Sequence, residues 1–391
     1  MRRRPFIAGL LPAMLATRPG AASALSTPAP APSPTVNPPL GVSHRALRFP
    51  ADHGSHPDTH VEWWYVTGWL RGGADIDPTS SPEFGFQVTF FRSRTGLAEG
   101  SASRFAARQL VFAHVALTDL AAGRNGGGLM HDQRAAREGF GLVQAPAASG
   151  EQLAKLRDWS LLRQAPAAPD DARSRMRAVV RSAQFALDLD LSGTQPVLLQ
   201  GEAGYSRKGP DPLDASHYYS EPQLAVRGRL ERAGARTRDV AGRAWLDHEW
   251  SDRYLGAQAV GWDWVGFNLH DGGALMAFRL RRADGSATWA GGSYRSPNGE
   301  RRNFAADEVR FEPQRHWTSP RTRTSYPVEW LLTTPSGRWR IAALQDDQEL
   351  DSRNSTGSVY WEGLSALKRE DGRVVGHGYL ELTGYAGRLR L

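Results

Sequence analysis

Apolar and polar positions alternate in short runs along most of this 391-residue chain, the two-residue period of strands whose two faces meet different surroundings. The runs are VEWWYVTGWL (61–70), FGFQVTFFR (84–92), QLVFAHVALTDL (109–120), FALDLDLSG (185–193) and QLAVRGRLE (223–231). DWVGFNL (263–269), ALMAFRLRR (274–282), VEWLLTT (328–334), RWRIAAL (338–344) and GYLELTGY (378–385) continue the series. All are rich in aromatic or β-branched residues, which suit a pleated surface. Between them stand Arg71-Gly72-Gly73, Asp271-Gly272-Gly273, Asp284-Gly285, Pro297-Asn298-Gly299 and Asp371-Gly372, turn chemistry that closes hairpins. An antiparallel all-β architecture is expected.

Helical signals are short and charged, near 131–138 and 150–157, inside a polar excursion from about 121 to 181 that carries alanine-proline linkers. A weak repeat lays WWYVTGWL (63–70) over WDWVGFNL (262–269), matching Trp63 with Trp262, Val66 with Val265 and Leu70 with Leu269. Each copy then crosses a glycine-containing turn into a phenylalanine-arginine strand. Duplicated barrels are expected, with the boundary in the polar stretch 234–242, giving domains 42–237 and 238–391.

The ends change the picture. MRRRPFIAGLLPAMLA is a basic start followed by an apolar run too short to span a bilayer, and Ala22-Ser23-Ala24 offers the small residues a signal peptidase needs. Residues 1–24 are expected to be a twin-arginine-like signal peptide, cleaved after Ala24, delivering a periplasmic or secreted protein through the export machinery. LSTPAPAPSPTVNPPL, within 25–41, reads as an extended tether. No transmembrane span is expected in the mature chain. The absence of cysteine rules out disulfides, thiolate metal sites and cysteine nucleophiles. Loss of Arg2, Arg3, Arg4 and Arg18 with the leader lowers the formal charge from +7 to +3, too small an excess for a nucleic-acid partner.

Chemistry concentrates in three aromatic motifs. In His60-Val61-Glu62-Trp63-Trp64-Tyr65, strand alternation puts His60, Glu62 and Trp64 on one face and Trp63, Tyr65 and Trp69 on the other. A carboxyl beside indoles would be desolvated and its pKa raised, unless an arginine at the barrel rim pairs with it. In Trp245-Leu246-Asp247-His248-Glu249-Trp250, Asp247 and Glu249 face one way while His248 and Trp250 face the other. Two carboxylates and an imidazole can divide acid and base work, or form a polar latch between domains. Trp262-Asp263-Trp264 sets an acid between indoles. His114, the run His217-Tyr218-Tyr219-Ser220, and Tyr360-Trp361-Glu362-Gly363 with Tyr379-Leu380-Glu381-Leu382-Thr383 are further candidates, each of which reads in isolation as a satisfied core residue. His53, His56 and His60 lie near Asp52, Asp58 and Glu62, but off a helix their spacing defines no metal face, and no metal is expected. No G-x-S-x-G elbow occurs.

In order, HVEWWYVTGWL, FGFQVTFF, FAHVALTD, HYYSEPQLAVRGRL, AWLDHEW, GWDWVGFNLHDG, ALMAFR, YWEG and GYLELTGY resemble the hydroxyneurosporene synthase (carotenoid 1,2-hydratase) and AttH family from about His44 onward. The resemblance implies two lipocalin-like barrels. In the hydratase branch it also implies cofactor-free addition of water to a terminal double bond of an acyclic carotenoid. That branch's histidine and tryptophan two apart, with a following aspartate, fall on His248, Trp250 and Asp263; its tyrosine has no match, Gly261 standing in its place. The resulting expectation is an exported, cofactor-independent enzyme acting by acid-base chemistry on a hydrophobic isoprenoid- or lipid-like molecule. Catalytic candidates are Asp247, His248, Glu249, Asp263 and Glu62, with Trp63, Trp64, Tyr65, His114, Tyr219, Trp250, Trp262 and Trp264 binding substrate. A carrier of an apolar ligand and a secreted hydrolase are the alternatives.

Overall fold

The computed structural model describes residues 41–389 except 75, 78, 98, 104, 125–126, 139–142, 145–153, 165–172 and 254. The expected leader and all but residue 41 of the expected tether lie outside the described residues.

Two antiparallel sheets are formed. In the first, the neighbours in order are Leu129–Arg137, Gln109–Asp119, Phe84–Arg94, Val61–Gly72, Arg238–Ser251, Ala215–Arg232, Phe185–Ser192, Arg175–Arg181, Trp159–Gln164, Ala154–Leu156 and Val143–Gln144. In the second they are Arg301–Phe304, Ala287–Arg295, Ala274–Arg281, Gly261–Leu269, Val374–Leu382, Ser358–Lys368, Gly337–Ala343, Ser325–Thr334 and Arg310–Thr318. Both open with a four-strand meander, and in both the last strand returns to pair with the first. Val61–Gly72 and Gly261–Leu269 therefore hold equivalent places, as the internal repeat predicts.

Each sheet curls round its own core. Phe86, Val88, Val115 and Leu246 pack with Leu156, Leu161 and Leu189 from the far end of the first sheet. Val265, Phe267 and Leu275 meet Val328, Trp330 and Ile341 in the second. A third apolar layer joins the two, with Tyr65, Trp69, Tyr218 and Trp245 against Trp264, Met276, Phe278, Leu364 and Tyr379. The central strands are thus buried on both faces, and full burial of a large apolar side chain contributes about 1.5–3 kcal/mol. A bulge near Gln223 (φ +59°) locks the layers together. Its backbone N–H donates to Asn268 Oδ1 at 2.7 Å, and its side-chain amide donates to the carbonyls of Leu269 and Gly273.

Three expectations are corrected. Residues 131–138 are not helical: Leu129–Arg137 is an edge strand paired with Gln109–Asp119. An edge strand is held by backbone hydrogen bonds and tolerates polar side chains on both faces, so HDQRAAR carries no two-residue hydrophobic signal. The polar excursion, in its described part, supplies strands of the first sheet, whose Ala154, Leu156, Trp159 and Leu161 are buried in its core; of the second expected helix, 154–156 is strand and 150–153 lie outside the described residues. Finally, the glycine-bearing stretch at 234–242 spans a hairpin turn and the start of the next strand, both strands of that hairpin belonging to the first sheet. The chain passes between sheets at 252–260.

Among the described residues, no helix is long and apolar enough to cross a membrane.

Candidate functional site

Alternation along the central strands sends neighbouring residues into three separate spaces. Glu62, Trp64, His248 and Trp250 point into the first barrel; Trp63, Tyr65, Asp247 and Glu249 point between the sheets; Asp263 points into the second barrel while Trp262 and Trp264 point between the sheets. The split within AWLDHEW and HVEWWYV is the one their period predicts. What it prevents is a single site holding Asp247, His248 and Asp263 together.

Inside the first barrel, Glu62 is fully buried and saturated with donors. Its Oε1 lies 2.7 Å from His56 Nδ1 and 2.9 Å from His248 Nε2, while Oε2 accepts from Arg92 Nε at 2.8 Å. Burial alone would raise its pKa, but the hydrogen bonds to His248 and His56, with the charges of His248 and Arg92, hold it well below the usual carboxylate range. Of the two alternatives left open for Glu62, a raised carboxyl or one paired with an arginine, the structure shows the pairing, with Arg92. His56 is also bonded to Asp52 (3.1 Å) and stacks on Trp250 at 3.7 Å. Burial opposes its charge, yet the two carboxylates outweigh burial and raise its pKa. His248 is lowered to about 4, chiefly by burial. With His248 Nε2–H given to Glu62, its Nδ1 is left to accept from Tyr219 OH, which accepts in turn from His53 Nδ1–H (2.8 Å). Trp64 stacks on His248. Glu62, His248 and Tyr219 are fully hydrogen-bonded, and with the rings of Trp64 and Trp250 they form a support that fastens residues 45–60 across the barrel; the buried Trp64 Nε1 is left without a partner. The atoms His56 Nδ1, Glu62 Oε1 and His248 Nε2 also lie within 4.8 Å of one another, a donor set that could hold a metal ion.

Inside the second barrel, Asp263 accepts from Arg279 Nε (2.6 Å), Arg281 Nε (3.1 Å) and Tyr385 OH (2.9 Å). Its flanking indoles face the opposite way, into the layer between the sheets.

The remaining space lies between the sheets. A cavity of about 90 Å³ is lined by Trp63, Tyr65, Tyr218, Trp262, Trp264 and Phe278, and by the carboxyl groups of Asp247, Glu249, Glu362 and Glu381. Asp247 accepts from Ser220 Oγ (2.5 Å), Trp245 Nε1 (2.7 Å) and Tyr218 OH (2.6 Å). Burial nevertheless prevails over these donors and pushes its pKa up to about 7. Glu249 is paired with Lys208 at 2.9 Å, whose ammonium lies over the rings of Tyr218 and Phe278.

Glu362 and Glu381 stand directly opposite on adjacent strands, a placement that like charges disfavour. Burial, and then the charge of Glu381, raise Glu362 well above the usual range. Burial raises Glu381 to about 7, with Asp247 and Glu249 adding to it. Glu362 Oε2 accepts from Gln87 Nε2 at 2.8 Å, while its buried Oε1 and the buried hydroxyl of Tyr65 make no well-formed hydrogen bond, although Tyr65 acts on the Glu362 carboxyl as a neighbouring donor. A sequence reading that treats Glu362 and Glu381 as satisfied core residues thus misses the pair.

His114 lies behind the cavity wall. Ser355 Oγ donates to Gln133, so His114 Nε2–H donates to Ser355 Oγ (2.8 Å) and His114 Nδ1 accepts from Tyr360 OH (2.8 Å). Burial lowers His114 to about 3. It orients Tyr360, which lines the cavity, and does not itself reach the space.

Known proteins bear on this arrangement. The AttH-like family profile matches residues 41–385. The crystal structure of an AttH-type protein from Nitrosomonas europaea shares 46% identity with a TM-score of 0.76, covering 88% of this chain and 98% of that one. Kievitone hydratase from Nectria haematococca has a TM-score of 0.55 and 14% identity over 86% of this chain and 93% of its own, which is likeness of fold. A sequence search of functionally curated proteins returns no match. The chain belongs to the AttH-like family.

Proposed function

We infer that this is an exported, cofactor-independent enzyme that adds water to a carbon–carbon double bond of a neutral, hydrophobic isoprenoid-like molecule in the cavity between the barrels. The observation that carries the reading is the opposed Glu362–Glu381 pair, the first buried and the second half-buried, both raised in pKa and set among the aromatic rings of one cavity. Two carboxyls that cannot both ionise share a proton, leaving one as acid and one as base.

Glu362 gives its proton to the less substituted alkene carbon, and the π electrons leave a tertiary cation. The faces of Trp63, Trp262 and Trp264 stabilise that cation by about 0.5–2 kcal/mol per ring. Water adds through oxygen and yields its extra proton to the Glu381 carboxylate, and proton exchange between the two carboxyls restores the start. The kinship in fold with a hydratase supports this chemistry. Four carboxyl groups beside one paired lysine disfavour an anionic substrate end.

The test is incubation with neutral isoprenoids in heavy-oxygen water, followed by mass spectrometry. A product heavier by one labelled water, absent with Glu362→Gln, is expected. Recovery of bound but unchanged isoprenoid from the native protein would replace the enzyme with a carrier.

A further inference from the structure

Strand Ala274–Arg281 turns Met276, Phe278 and Leu280 into the layer between the sheets. Phe278 borders two spaces at once, the carboxyl-lined cavity and an open groove of about 450 Å³. The groove runs along Tyr205, Met276 and Trp289, over a floor of Gly291 and Gly292. Ser206 and Arg207 line the groove while the next residue, Lys208, lines the cavity, so one segment of the first barrel borders both. The Arg207 guanidinium lies 5.2 Å from the centre of the Trp289 ring. A Cβ at Gly291 would stand 3.0 Å from the Phe278 ring. Glycine there lets the ring lie back against the strand.

The cavity itself is small. At about 10–15 Å³ per water-sized group, 90 Å³ admits roughly six to nine such groups. One five-carbon prenyl unit and an attacking water fill it, and any longer chain must extend beyond it. We propose that the groove binds the distal prenyl chain of a neutral substrate whose reacting end occupies the cavity, and that Phe278 is the specificity-determining residue between the two. This rests on the hydratase reading for the identity of the reacting end. The groove presents the apolar surfaces of Tyr205, Met276, Trp289 and Phe304 beside the polar Glu202, Arg207 and Asn303, and the Phe278 ring it shares with the cavity as a common wall ties the two spaces to one molecule.

The experiment is calorimetric titration of the whole protein with prenol, geraniol and farnesol, neutral alcohols of one, two and three prenyl units. Affinity should rise with length, by about tenfold or more from prenol to farnesol. Gly291→Val, which displaces the Phe278 ring, and Trp289→Ala, which removes a groove wall, should each cancel that gain, and Trp289→Ala should do so while leaving prenol unaffected; loss of the gain in either correctly folded variant supports the site. Equal affinity for the three alcohols, no binding of any, or an undiminished length effect in both variants overturns it. Water addition is measured on the same samples. Length-dependent binding without hydration would sink the hydratase reading and keep the groove, whereas hydration without length dependence would sink the groove alone.

Discussion

Replacing Asp247 by Asn should reverse its effect on stability between acid and alkaline pH. Folding raises this carboxyl from 3.8 to about 7 because burial disfavours its charge. A carboxyl raised on folding contributes stability that is complete below its unfolded pKa and lost as pH rises toward the folded one. Three pH units at 1.36 kcal/mol each remove about 4 kcal/mol between about pH 4 and pH 7. Asn does not titrate, so the variant escapes this loss. It also places an amide opposite Tyr218 OH, which now donates at 2.6 Å and must turn away, at a cost of about 1 kcal/mol. The variant should therefore be about 1 kcal/mol less stable at pH 4, equal to the parent near pH 5, and about 3 kcal/mol more stable at pH 8. Urea denaturation followed by tryptophan fluorescence across that range measures the difference, and groups that do not feel the Asp247 charge cancel, with Glu381 following it in part. Parallel stability curves would refute the reasoning, since they would mean that Asp247 is ionised throughout in the folded state.

Glu362→Gln should lower water addition by about 10²–10⁴-fold while changing stability at pH 6 by under about 1 kcal/mol, because Gln87 keeps an oxygen to donate to; an active variant would move the acid elsewhere. Arg92→Met should cost about 3–5 kcal/mol in denaturation experiments, since Glu62 is then left buried without its guanidinium, and a loss below 1 kcal/mol would show that His56 and His248 alone hold it. Asp263→Ala should lose a similar amount by orphaning Arg279 and Arg281, yet activity per folded molecule should stay within about twofold; a fall of orders of magnitude would restore the catalytic role that family resemblance implies.

The strands, their hairpin turns and their facing were readable from the chain because each depends on residues next to one another. Gly272 and Gly372 do adopt the left-handed backbone their turns call for (φ +91° and +85°), and Asp247 and His248 do point to opposite sides. Which side carries the proposed chemistry was not readable. Both faces of the central strands mix indoles with titratable groups, and only pairing between distant segments reveals that Glu62 is satisfied by Arg92, thirty residues away, while Glu362 confronts Glu381. A signal did exist: Glu362 and Glu381 sit in YWEG and YLEL, acids within two residues of an aromatic on a buried strand, as Asp247 sits in AWLDHEW. The sheet boundary was misplaced for a related reason. Polar, glycine-bearing sequence marks any turn, and a hairpin inside a barrel looks the same as a linker between two.

The double burial of the central strands has a bearing on how such a chain can change over time. Each of these strands carries two interleaved texts, odd positions of 61–72 and 238–251 writing the shared cavity and even positions writing the interior of one barrel. Substitutions can edit either text separately. Inserting or deleting one residue within such a strand exchanges them, sending Asp247 into a packed core and His248 into the cavity. New specificities in this architecture should therefore arise by point replacement along the strands and by length variation in the loops, and almost never by length variation in the strands themselves.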